Sequence, residues 1–342
     1  DVANTWVVNG ADAGTVTGVG GGFTDIDSLT GGTGTDAFTL SGGTLSGTLT
    51  GGGAVTGNTL TADNVANTWG LTANDAGSVT GVNAFTEIGN LTGNANTDSF
   101  DFSDGVVVSG VVDGAGGSDT LNWTAYNSTR NVTLTGAGST DGFAGNEGSI
   151  TGGFDNINIF TGSGNADALT AADIANTWLV TGIDSGTLNG NAFSNIANLT
   201  GGTGTDAFTL NGGTLSGAIA GGGGAGLNTL TGDNVANTWS VTGADAGTIT
   251  GVGGGFSDID NLTGGTGTDA FTLSGGTFSG AVAGGGGAGE NTLTADDVAN
   301  TWSVTGADAG GVTGVTGGFT DIANLTGGTG TDTFTLSGGT LS

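Results

Sequence analysis

Apolar residues punctuate this chain at steps of about 19 to 22 residues, each set in the middle of a polar–apolar–polar triplet. The series runs Val16, Phe38, Leu60, Val79, Phe100 and Leu121. After an irregular stretch it resumes at Leu169, Leu188, Phe208, Leu230, Ile249, Phe271, Leu293, Val312 and Phe334. The triplet alternation is that of a half-buried strand. A step of this length is one turn of a solenoid. Phe38, Leu60 and Val79 are therefore expected in one inward column, on successive coils. Each coil also carries a second strand, in which Phe256, Ile259 and Leu262 follow at steps of three; this predicts a bend near Asp260, or a third sheet. Glycine and β-branched residues dominate throughout, which argues against helix.

A second marker, Asp-Val-Ala-Asn-Thr-Trp at 1–6, returns in shortened form at 65–69, 174–178, 235–239 and 298–302. Three of these intervals are about 61 to 63 residues, so a super-repeat of three coils is expected. The fold class that follows is all-β, a parallel β-solenoid of about sixteen coils of 19–22 residues, with a three-coil super-repeat of about 63 residues. Residues 1–342 read as one continuous solenoid that opens and stops in mid-repeat, as a fragment of a longer chain would. Residues 101–161 break the period and hold the sole Tyr126 and the sole Arg130. Two or three coils with longer loops would absorb this stretch, with Ile150 a core position.

Composition narrows the function classes. The chain has 78 glycines, no proline, cysteine, methionine or histidine, and a formal charge of −30. Collagen is excluded by the missing proline and three-residue period. Nucleic acid is excluded as a partner because phosphate binding needs clustered Lys and Arg. Anionic membrane surfaces are disfavoured for the same reason, and no apolar run approaches the ~20 residues that span a bilayer, so membrane insertion is not expected. An acidic, cysteine-free repeat suits an extracellular medium that supplies divalent cations.

The candidate chemistry sits in Gly-Gly-Thr-Gly-Thr-Asp-Ala-Phe-Thr at 31–39. This stretch is repeated unchanged at 201–209 and 264–272, with one change at 327–335, and more loosely at 114–122 and 162–170. Two readings fit. Glycines let backbone carbonyls converge while Asp adds a hard anionic oxygen, as a Ca²⁺ loop requires. Alternatively, glycine supplies a tight turn and Asp caps its N–H groups. The nonapeptide Gly-Gly-x-Gly-x-Asp-x-apolar-x resembles the signature of the RTX calcium-binding β-roll. The segments Asp-Thr-Leu-Asn-Trp-Thr-Ala-Tyr at 119–126 and Asn-Ile-Asn-Ile-Phe-Thr-Gly-Ser-Gly-Asn at 156–165 resemble those of very large bacterial repeat proteins. The coil length and Trp/Asn markers are similar to filamentous-haemagglutinin-like β-helices. The resemblance implies Ca²⁺ as cofactor, with Asp36, Asp98, Asp119, Asp167, Asp206, Asp269 and Asp332 as metal ligands. It is diluted, since the full motif occurs about once in three coils. Between copies the acid becomes Asn58, Asn228 or Asn291, or moves to Asp75, Asp184, Asp245 or Asp308. Asp98 and Asp119, one coil apart, are the pair expected to stack.

The remaining motifs have bland readings beside sharper ones. Periodic tryptophans stack on sugars or fill a core, with the nearby Asn in a buried turn ladder. Asn-Leu-Thr at Asn90, Asn198, Asn261 and Asn324 matches a glycosylation acceptor, or repeats one strand-turn sequence. Thr39, Thr61, Thr80, Thr170, Thr209, Thr231, Thr250, Thr272, Thr294, Thr313 and Thr335 form an outward ladder, structural or a binder of ordered surfaces. No nucleophile–base pair can be assembled without His, Cys or Lys, so no enzyme is expected. The expected function is a structural repeat region of a secreted bacterial surface adhesin or extracellular filament, extending, adhering or assembling a matrix and continued or self-associated end to end. The alternative is a calcium-dependent module for glycan or ice.

Overall fold

A computed structural model describes residues 2–286 and 290–342. Asp1 of the first marker and residues 287–289 of a glycine run lie outside it. The described chain is all-β: its strands fall into two sheets built mainly of parallel pairs, with one short 3₁₀ turn at Val55–Gly57. Contacts divide it into two compact units, Asp1–Asp167 with Asn191–Phe193, and Ala168–Gly190 with Ser194–Ser342.

In the first unit, parallel register sets Trp6 beside Phe38, Phe38 beside Leu60, Leu60 beside Leu91, Leu91 beside Val112 and Val112 beside Phe154. The second sheet of that unit aligns Trp69, Phe100, Leu121 and Phe160. In the second unit one sheet aligns Trp178, Phe208, Leu230, Leu262, Val282 and Phe319. The other aligns Trp239, Phe271, Leu293 and Leu325. Side chains alternate in and out along each strand, so these columns are the core. Nearly all their members are buried, and full burial of such a side chain contributes about 1.5–3 kcal/mol.

The column expected from spacing alone is corrected at Val79. Phe38 and Leu60 do share a column, but the next member is Leu91. Val79 lies instead in an antiparallel meander, Asn67–Ala73, Ala76–Val79 and Val82–Thr86, opposite Trp69 on one side and Val82 on the other. Phe100 and Leu121 belong to the Trp69 column, in the other sheet. The physical reason is a tight turn. Between Ala73 and Ala76 only Asn74 and Asp75 remain, and Asp75 takes a left-handed φ of 51°, which reverses the strand within its own sheet. Equivalent meanders follow Trp239 and Trp302.

The spacing of Phe256, Ile259 and Leu262 also resolves. Val252–Ser257 ends in one sheet and Asn261–Thr263 begins in the other, with Asp258 at φ 55° between them. The bend is a corner between two sheets, and the described residues form no third one. Within 101–161, Asn131–Ala137, Phe143–Glu147 and Ile150–Ile157 make a longer-armed antiparallel meander. Ile150 is buried in it.

Each marker tryptophan stacks on the phenylalanine of the neighbouring parallel strand. Trp239 and Phe271 lie 5.3 Å apart at 17°, and Trp302 and Phe334 5.2 Å apart at 8°. The tryptophans are therefore core side chains; Trp69, Trp178, Trp239 and Trp302 are fully buried. Such ring pairs contribute about 0.5–1.5 kcal/mol beyond their burial.

Candidate functional site

The glycine-rich motif positions its Asp inward. In the strand Asp206–Leu210 the burial alternates, with Asp206, Phe208 and Leu210 in and Ala207 out. The preceding turn explains each glycine of the motif. A Cβ on Gly201 would stand 2.4 Å from Asp206 Oδ2, and one on Gly204 would stand 2.0 Å from the carbonyl oxygen of Ile174. Gly202 takes φ 101°, a region L side chains rarely adopt. The carboxylate is thus folded back against its own turn.

Its partner is the asparagine of the tryptophan marker. Asn176 donates its backbone N–H to Asp206 Oδ1 at 3.0 Å and its Nδ2 to the same oxygen at 2.7 Å. The same double contact joins Asn4 to Asp36, Asn67 to Asp98, Asn237 to Asp269 and Asn300 to Asp332. The ladder continues on the far side. Asp36, Asp206 and Asp269 each donate a backbone N–H to Asn58, Asn228 and Asn291 Oδ1, at 2.8–2.9 Å. The asparagines that replace Asp between motif copies are therefore rungs of the same ladder.

Asp98 and Asp119 are brought together as expected: the Asp98 N–H donates to Asp119 Oδ1 at 2.8 Å. Asp119 in turn donates its N–H to Asn158 Oδ1 at 3.0 Å. Asp167 accepts at Oδ1 from the Arg130 backbone N–H and at Oδ2 from Gly164 at 2.9 Å. Beyond Asp98 with Asp119, the other five candidate acids sit singly, each in its own turn. Among the described residues, no group of three or more His, Cys, Asp or Glu is arranged to hold a metal ion.

Burial sets the electrostatics of these acids. It raises Asp98, Asp206 and Asp269 above the ordinary carboxylate range, against the opposing pull of their asparagine donors. Burial, then the neighbouring carboxylates Asp98, Asp141 and Asp113, pushes Asp119 up to about 7. One oxygen of Asp36, Asp119, Asp206 and Asp269 is buried without a hydrogen bond. These four carboxylates are buried from solvent.

A second acid system emerges that the glycine motif does not reveal. Asp12, Asp75, Asp184, Asp245 and Asp308 occupy the left-handed position of the meander turn, at φ 48–51°. Their Oδ1 accepts from the backbone N–H of Ser46, Ser109, Ser216, Ser279 and Ser342, at 2.7–2.8 Å. The separation is 34 residues in four cases and 32 in the fifth. That constancy was the available signal. A hollow of about 410 Å³ lies among Gly222–Gly224, Gly226, Asp245, Asp258 and Asp260. Its three carboxylates already accept from Ser279, Ser257 and Asn228.

The sole cation is also internal. Arg130 pairs with buried Glu147 at 3.2 Å and stacks 4.2 Å over Tyr126. Ser149 donates to Glu147 and accepts from the Trp123 indole at 2.9 Å. Asn90, Asn198, Asn261 and Asn324 each open a strand of the core sheets, and Asn90 Nδ2 donates to the Thr56 carbonyl at 2.8 Å. The threonine ladder divides in two. Thr39, Thr61 and Thr92 face outward in register, as do Thr209, Thr231 and Thr263. Thr80, Thr250 and Thr313 instead cap the meander, accepting at Oγ1 from Thr68, Thr238 and Thr301 N–H groups at 2.9–3.0 Å.

No protein-family model, curated protein or solved structure matches this chain.

Proposed function

We propose that each unit is a two-sheet parallel β-solenoid and that the chain is a structural repeat region of a secreted bacterial surface adhesin or extracellular filament. One observation supports this reading: the asparagine–aspartate and aspartate–serine ladders return with each tryptophan marker, and Oδ1 of each motif acid is engaged in its turn. A dedicated site would interrupt such a pattern. On this reading a marker interval is two and a half turns. From Trp239 to Trp302 the chain makes one meander and then four single strands, Asn261–Thr263, Ala270–Leu273, Val282–Ala283 and Thr292–Thr294, alternating between sheets. An odd number of half-turns places the markers of each 61–63-residue interval (Trp6 and Trp69, Trp178 and Trp239, Trp239 and Trp302) in opposite sheets, so on this reading three coils per interval becomes two and a half. Each added interval then lengthens the particle by about 12 Å, at about 4.8 Å per turn.

The test inserts one, two and four extra copies of residues 237–299 and follows the longest dimension by small-angle scattering. A constant increment near that value supports the structural role, whereas increments that vanish or come with unfolding count against it. A second reading rests on the outward rows Thr209–Thr231–Thr263 and Thr272–Thr294–Thr326, which offer a regular hydroxyl array to a glycan or other ordered surface. Substituting Thr231 and Thr294 by Ala would abolish such binding and leave the increment unchanged.

A further inference from the structure

The chain contains three Asn-Gly pairs, at Asn9, Asn189 and Asn211, and the fold treats them differently. Asn-Gly is the dipeptide in which the following backbone nitrogen most readily attacks the side-chain amide, because glycine offers no steric barrier. Asn189 is pinned: its Oδ1 accepts from the Thr177 N–H at 2.8 Å and its Nδ2 donates to Asn176 Oδ1 at 3.0 Å. Asn9 lies in the strand Thr5–Gly10, where the Gly10 carbonyl accepts from the Thr44 N–H at 3.1 Å. Asn211 lies in neither situation. It is exposed and outside any strand; its backbone N–H donates to the Val180 carbonyl at 2.8 Å, and no hydrogen bond holds its side chain. Gly212 takes φ 78°, with open space where a Cβ would stand. The corresponding residues of the other copies are Ser41, Ser274 and Ser337, which cannot undergo this reaction.

We infer that Asn211 is a site of spontaneous deamidation built into this turn. The Gly212 nitrogen attacks Asn211 Cγ, a new C–N bond closes a succinimide, and the amide nitrogen leaves as ammonia with the proton from Gly212. Water then opens the ring at either carbonyl, giving Asp or isoaspartate and one added negative charge. Asn189 must first open two hydrogen bonds, which slows it by about thirtyfold relative to Asn211.

The test incubates the intact chain in mildly alkaline buffer and follows each Asn-Gly peptide by mass spectrometry, with an isoaspartate-specific methyl-transfer assay as second readout. A parallel sample is held in concentrated urea, where the three sites lose their structural differences. Expected are conversion at Asn211 far ahead of Asn189 and Asn9 in the folded chain, near-equal rates in urea, and loss of the leading signal in Asn211→Ser. Conversion of Asn189 or Asn9 first, or an Asn211 that converts in urea but not when folded, would overturn the inference.

Discussion

Removing the Asp269 carboxylate tests how much the turn ladder contributes. In the folded chain Asp269 Oδ1 accepts from the Asn237 N–H at 2.8 Å and from Asn237 Nδ2 at 2.9 Å, with both residues buried. Asp269→Ala strands the Asn237 backbone N–H, whereas Asn237 Nδ2 keeps its bonds to the Asp233, Val235 and Gly264 carbonyls. One buried unsatisfied donor costs about 1–3 kcal/mol, and that is the local loss expected. Asn237→Ala removes only the side-chain donor, together with its closure of residues 233–237. Because the shared bond is charge-assisted, a double-mutant cycle should give a coupling of about 1.5–3 kcal/mol. Native-state hydrogen exchange reads this directly at Asn237 and Ala270, whose amides are bonded across the same turn. A cost below about 1 kcal/mol for Asp269→Ala, or additive losses in the double variant, would refute the ladder as a stabilising device.

Asp98, Asp119, Asp206 and Asp269 titrate above their unfolded values, so the folded chain binds more protons than the unfolded one between about pH 4 and 7. Their contribution therefore favours folding as pH falls through that window and is lost as pH rises through the folded pKa; urea midpoints should be higher at pH 5 than at pH 8, and a lower midpoint at pH 5 would contradict it. Gly264→Ala brings a Cβ to 2.3 Å from Asp269 Oδ2 and 2.4 Å from the Gly284 carbonyl oxygen, and should cost about 1–3 kcal/mol. Gly286→Ala, with nothing within 4 Å, should be neutral in the same denaturation assay. Gly232→Ala restores the residue found at Ala62, Ala171 and Ala295, each buried. Its Cβ would stand 2.9 Å from Asn237 Nδ2, the Gly264 carbonyl oxygen and Trp239 Cζ2; if these give way, reduced unfolded-state entropy raises stability by about 0.5 kcal/mol, and a loss would show that the turn at Gly264 does not yield.

Periodicity made the inward residues legible, because a strand facing a core must alternate and a repeat must recur. Sheet membership was not legible. A step of about 20 residues looks the same whether the chain crosses to the opposite sheet and back or doubles over in place. Val79 and Leu60 thus carry one local pattern, Thr-Leu-Thr or Ser-Val-Thr, in different geometries. The left-handed Asp75 decides between them, and its short Asn-Asp turn was the local clue. The motif acids were found for the right spacing, but their partners lie 30 to 32 residues away in a marker of unrelated sequence. A glycine-rich loop with one Asp does not itself say whether the carboxylate turns out to a cation or back onto the chain. The contact of Oδ2 with the first glycine of the motif is a tertiary fact.

Thermal unfolding in chelator and in millimolar Ca²⁺ tests most directly whether the motif acids hold turns by themselves. If their Oδ1 atoms hold the turns as the Asn–Asp ladder has them, the chain is folded in chelator. Added Ca²⁺ then shifts its stability by less than about 1 kcal/mol, since ligand that binds the folded state weakly stabilises little. A chain unfolded in chelator that folds cooperatively on adding Ca²⁺ would contradict the account, and would make the same seven acids the ligands of a metal-dependent fold.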